Sequence, residues 1–253
     1  MPDEVATMRH LEIRGGKVTS GDTTTLTLPA LTGGYADAQL DDYSGRKRRV
    51  YPHTPGITLS LSACFSHPAG MLRGTAGFGF WNAPFGDPTV PWPALPQAAW
   101  FFYASAPSDL PLNPAGPGQG WFAATLDATT WTAWAMAPLA LPVILLNQVP
   151  AISAFLWPWV QKKLKIDYQQ LTMPMTDWHH YQLEWGEAGC RFGVDEEIIL
   201  QTNYSPQGPL GFVCWLDNQY MVVTARGRAR WGTLSTSEPQ WLALRHLQIR
   251  RQA

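Results

Sequence analysis

The stretch Asp177–Asn218 constrains the fold more than any other part of the chain. Apolar and polar side chains alternate through three short runs, and each run is closed by turn residues. The first run, His179–Trp185, puts Tyr181, Leu183 and Trp185 on one side, and the second, Cys190–Val194, does the same with Phe192. Turns at Gly186–Ala188 and Asp195–Glu197 separate the three, and a loop at Pro206–Pro209 leads into a fourth run ending near Asp217. A period of two buries one side of a segment only when the segment is a strand. The pattern therefore predicts antiparallel hairpins with Tyr181, Leu183, Trp185 and Phe192 in the core.

The same alternation recurs at Leu11–Val18, Thr24–Leu28, Ile57–Ser66, Gly77–Trp81 and Trp241–Ile249, with an apolar run at Ala98–Ala104. With 22 Gly and 22 Pro to turn between strands, the 253 residues read as one all-β domain, 1–253, with no internal repeat and no linker. The net charge of −1 gives no electrostatic case for nucleic acid, and the basic clusters Arg46–Arg49, Lys162–Lys165 and Arg226–Arg230 read as solvated surface. Cys64, Cys190 and Cys214 are odd in number and widely spaced, which predicts buried free thiols. No basic segment followed by an apolar run opens the sequence, so the expectation is a cytoplasmic protein.

Between Leu110 and Thr176 the strand pattern breaks. Trp131–Val160 is almost continuously apolar and is followed by a basic run, Gln161–Lys165. Its length would admit a membrane span, but Pro138, Pro142, Pro150 and Pro158 interrupt any single helix. Two short helices, roughly Leu141–Gln148 and Ala151–Lys165, are expected. Three fates stay open for residues 131–165: a cap over a cleft, an accessory or dimer surface, or a peripheral membrane contact.

His179-His180-Tyr181, Trp185 and Arg191–Asp195 resemble a run in the family-16 glycoside hydrolases of the concanavalin A-like lectin/glucanase superfamily. The resemblance implies a jelly-roll β-sandwich, first and last strands near each other in one sheet, and a concave sheet carrying the site; the largely helical or irregular apolar insertion around 110–176 is this chain's own addition to it. Active family members hold their acids on one cleft strand. The matching stretch here offers Gly77, Gly79 and Trp81, or Gly79, Trp81 and Ala83, and no carboxylate. Retaining hydrolysis needs two such groups about 5 Å apart. By the same resemblance, neighbouring strands point Trp100, Phe102 and Ala104, and Val213, Trp215, Asp217 and Gln219, into the cleft.

The expected site is thus aromatic: Trp81, Asn82, Trp100, Phe102, Trp134, Val213, Trp215 and Gln219 as ligand contacts, with Asp217 and Asp42 as candidate acids. Asp217 reads either as a hydrogen-bonded structural carboxylate or as a functional one with a raised pKa. Asp42 reads as a turn cap or a cleft-edge acid. No Cys, His and acid cluster has ligand spacing, so neither metal nor cofactor is expected. Three functions compete: a container for a bulky, largely apolar small molecule, with cyclase- or isomerase-type chemistry at Asp217; a non-catalytic carbohydrate-binding, lectin-like protein; and a divergent glycosidase whose acids have moved, to Asp42 and Asp217.

Overall fold

The computed structural model describes residues 8–84, 93–110, 118–136, 140–224 and 226–252. In chain order the strands are β1 (Arg9–Ile13), β2 (Lys17–Thr19), β3 (Thr24–Leu28), β4 (Asp37–Asp41), β5 (Ile57–Phe65), β6 (Thr75–Trp81), β7 (Gln97–Ala104), β8 (Gly120–Asp127), β9 (Asp167–Leu171), β10 (His179–Trp185), β11 (Cys190–Val194), β12 (Glu197–Thr202), β13 (Gly211–Asp217), β14 (Gln219–Val223), β15 (Ala229–Thr233) and β16 (Gln240–Arg251). Three helices, α1 (Trp131–Met136), α2 (Ala140–Leu146) and α3 (Pro150–Lys163), stand between β8 and β9.

Two antiparallel seven-stranded sheets form the β-sandwich the sequence predicts. One, the cleft sheet, runs β1-β4-β13-β6-β7-β8-β9; the other, the back sheet, runs β12-β11-β10-β5-β16-β3-β2. The core lies between them and is strongly aromatic. Phe78 meets Tyr181 edge-on at 5.0 Å, and Phe101 meets Phe192 edge-on at 5.4 Å, the geometry that ring quadrupoles favour. Tyr181, Leu183, Trp185 and Phe192 all sit in this core.

β7 reads as an unbroken apolar run because both of its faces are covered, and every residue from Gln97 to Ala104 is buried. Ala99, Phe101 and Tyr103 point into the sandwich core. Trp100 and Phe102 belong to a second apolar cluster on the other face, with Phe122, Ala124, Val213 and Trp215. Alternation between polar and apolar positions vanishes when neither face sees water.

Two expectations about the chain's beginning need correction. Leu11–Val18 is not one strand: Arg14 and Gly15 take positive φ, and the chain turns there from β1 in the cleft sheet to β2 in the back sheet. The last strand, β16, consequently pairs with β3 and β5, while β1 pairs with β4 in the opposite sheet. Among the described residues the insertion holds three helices rather than two. α3 matches the second expected helix to within two residues at its C-terminal end and carries Pro158 inside it.

Candidate functional site

A cavity of about 660 Å³ lies on the outer face of the cleft sheet. Its size falls within the range of small-molecule sites. The floor is built from adjacent strands in register: Trp81 on β6, Trp100 and Phe102 on β7, Ala124 on β8 and Trp215 on β13. Trp81 and Trp215 lie parallel with ring centroids 5.9 Å apart, and Trp100 packs on Phe102 at 5.2 Å. Room for these rings comes from β6. A Cβ at Gly77 would stand 2.8 Å from Cη2 of Trp215 and would collide with the Phe101 carbonyl.

Walls come from outside the sheet. Trp157 and Leu164, within and just after α3, and Ile166 line one side. Met221, Val223 and Thr224, from the β14–β15 hairpin and its turn, line another.

Polar groups gather at one end of the cavity. β4 and β13 pair so that Asp37 stands directly opposite Asp217, and β13 and β6 pair Asp217 with Thr75. Directly opposed side chains on neighbouring strands stand about 5 Å apart at Cβ. Asp217 Oδ1 accepts from the Thr75 amide (3.2 Å), the Thr75 hydroxyl (2.9 Å) and the Gln219 amide (2.9 Å). The Trp215 indole N–H donates to the same Thr75 hydroxyl at 2.9 Å, which ties the aromatic floor to the acid. Tyr35 hydrogen-bonds Asp37 and Gln219.

Burial pushes the Asp217 carboxyl up from 3.8 to about 6, against the opposing pull of hydrogen bonds from Gln219 and Thr75. This carboxyl exchanges its proton near pH 6. Burial, reinforced by the charges of Asp37 and Asp217, holds Tyr35 well above its usual value, so it remains a phenol and a hydrogen-bond donor.

Of the residues predicted from sequence, Trp81, Trp100, Phe102, Trp215, Asp217 and Gln219 line this cavity. Val213 is buried on the same face but is not part of the lining. Asn82 is fully engaged beside it: its amide donates to the Leu95 carbonyl at 2.9 Å and its oxygen accepts from the Gln97 amide at 3.1 Å. Trp134 lies on α1, and its side chain is outside the described residues.

Asp42 is placed elsewhere, contrary to expectation. Its carboxylate accepts from the Phe212 amide at 2.9 Å and pairs with His53 at 2.5 Å, away from the cavity lining. The second cavity acid is instead Asp37, which the sequence reading passed over. The signal was present: Asp37, Gln39 and Asp41 alternate along one strand face. Only Asp37 and Gln39 reach the cavity, because Asp41 is spent on the Tyr43 and Ser44 amides and the Ser44 hydroxyl.

Among the described residues no group of three or more His, Cys, Asp or Glu side chains is arranged to hold a metal ion. All three cysteines are free and buried, and burial pushes the Cys190 thiol up to about 12.

No family model matches the chain, and no curated protein matches it. Solved structures similar to it include a sialidase (6% identity, TM-score 0.44), where the match covers 98% of this chain and 17% of the sialidase's length. A glycoside hydrolase family protein from Mycobacterium thermorestibile matches at 12% identity and a TM-score of 0.49, covering 98% of this chain and 94% of its own. A laminarinase from Flavobacterium sp. UMI-01 matches at 12% identity and a TM-score of 0.47, covering 94% of this chain and 82% of its own. These likenesses concern overall fold and say nothing of this chain's chemistry.

Proposed function

We propose that the protein encloses one bulky, largely apolar small molecule in the cavity on the cleft sheet and that Asp217 moves a proton to and from it. The observation that carries this reading is the distribution of side chains. Four large aromatic rings make the floor, apolar side chains from α3 and the hairpin make the walls, and Asp217 stands among a few polar groups at one end. A sugar can stack its C–H faces on indole rings, but the hydroxyls around its rim are left unpaired against apolar walls. An apolar skeleton with one polar end matches them.

The chemistry that fits is rearrangement. In its neutral form Asp217 gives its proton to a double bond or oxygen at the ligand's polar end. The carboxylate then takes a proton back from a neighbouring carbon, so an isomerisation or cyclisation closes with no co-reactant. Indole faces stabilise positive charge that develops on the skeleton in between. The helical insertion acts in this reading as a cap that excludes water.

One observation favours a hydrolytic second reading. Asp37 and Asp217 oppose each other across β4 and β13, near the spacing that retaining glycosidases use. The apolar walls weigh against it.

The test is titration of intrinsic tryptophan fluorescence with apolar polycyclic ligands and with gluco-oligosaccharides, on the wild type and on Trp215→Ala. Saturable quenching by the apolar set, lost in the variant, supports the container. Quenching by oligosaccharides alone, or release of reducing ends from a glucan, would overturn it.

A further inference from the structure

We infer that the outer face of α3, together with the tip of the β14–β15 hairpin, docks the protein on an anionic lipid surface. α3 has two apolar faces. Trp157 and Val160 are buried beneath it, with Gln161 one turn on from Trp157. About half a turn round, Ile152, Phe155 and Trp159 form a stripe at helical spacing that faces solvent, and Phe155 is 85% exposed. A helix with one apolar face buried gains nothing in water from a second one.

The stripe is continuous with other exposed apolar side chains. At its N-terminal end stand Leu145, Leu146 and Val149. At its C-terminal end, Thr130 and Thr132 bond the Lys163 carbonyl, which brings the start of α1 and the 82% exposed Trp131 alongside. Among the described residues no helix is long and apolar enough to cross a membrane, so the geometry is that of an element lying in the interface.

Charge selects the occupant. Residues 128–166 and 218–237 contain no Asp or Glu, yet they carry Lys162, Lys163, Arg226, Arg228 and Arg230, besides Lys165, which pairs with Asp127 at 4.0 Å, in a chain whose net charge is −1. The two segments meet, since the Gln148 amide donates to the Arg226 carbonyl at 2.8 Å. Lys163 Nζ sits 5.7 Å over the Trp159 ring. Tryptophan and lysine paired in this way suit the boundary between acyl chains and headgroups. A second copy of the chain would present the same cations and repel. The same elements line the cavity through Trp157, Met221 and Val223, so an apolar ligand would pass between bilayer and cavity without crossing bulk water. Docking on the lipid surface does not depend on what the cavity holds.

The experiment is co-sedimentation of the full chain with vesicles of phosphatidylcholine alone or mixed with phosphatidylserine, at low and high salt. The expected result is binding to the anionic vesicles that weakens with salt. Lys162→Glu and Lys163→Glu should each reduce partitioning by more than about fivefold, since each removes one surface cation and adds an anion. Phe155→Glu should abolish binding while the circular dichroism spectrum stays unchanged, because this side chain supports no core. Ile198→Glu, at an exposed site on the back sheet, should bind like the wild type. No binding to either vesicle, equal binding to both regardless of salt, or a concentration-dependent dimer that Phe155→Glu dissolves would each overturn the inference.

Discussion

Asp217→Asn isolates the electrostatic cost built into the cavity. The substitution keeps the shape of the side chain and an oxygen to accept from Thr75 and Gln219, and it removes the ionisable proton. In the folded protein the carboxyl titrates at about 6 against 3.8 in an unfolded chain. Because the folded value is the higher one, this group favours the folded state fully below about pH 3.8, and that contribution is lost as pH rises through about 6. The displacement corresponds to at most about 3 kcal/mol across that window, an upper figure because Asp217 keeps 7% exposure on the cavity wall. The variant carries no such cost. It should match the wild type near pH 4 and exceed it by up to about 3 kcal/mol at pH 8, which is roughly 6–12 °C in Tm for a chain of this size. Thermal unfolding followed by circular dichroism across this pH range measures the difference directly. A gap between the two proteins that is constant with pH would refute the reasoning, because it would mean that Asp217 is not a buried, proton-exchanging acid.

Gly77→Ala should destabilise the fold by about 1–3 kcal/mol and shift the tryptophan emission, since a methyl there meets the Phe101 carbonyl and the Trp215 ring. Asp42→Asn should lower stability by about 1–3 kcal/mol through its lost pairing with His53 and leave ligand quenching unchanged, as read by denaturant melts and fluorescence titration. Trp157→Ala should weaken ligand binding by about tenfold or more by opening the wall that α3 supplies, with Kd as the readout. Cys64, Cys190 and Cys214 should stay unreactive to a thiol reagent until denaturant unfolds the chain, because burial raises all three thiols.

The sandwich was legible where strands have one buried and one solvated face. β10 and β11 alternate cleanly because the back sheet faces water on its outer side, so their core residues could be named in advance. β13 and β7 gave a weaker signal, since a second apolar layer covers the cleft sheet and erases the alternation. Trp100 and Trp215 were assigned to the cleft by the family resemblance, which aligned their strands position by position. Asp37 was missed for a different reason. A carboxylate becomes part of a site through its cross-strand neighbour, and the pairing of β4 with β13 joins residues 180 positions apart. Asp42 drew notice because it stands in an acidic turn, yet the pleat sends it to the opposite side from Asp37 and Asp41. The split of Leu11–Val18 between two sheets depends on positive φ at Arg14 and Gly15, and the Gly15-Gly16 pair was its legible turn signal.

Native mass spectrometry of the purified protein, followed by organic extraction and identification of anything released, tests the central claim most directly. The account predicts that one apolar molecule accompanies the wild type and is missing from Trp215→Ala. An empty wild-type protein that binds added gluco-oligosaccharides, and no apolar molecule, would contradict it.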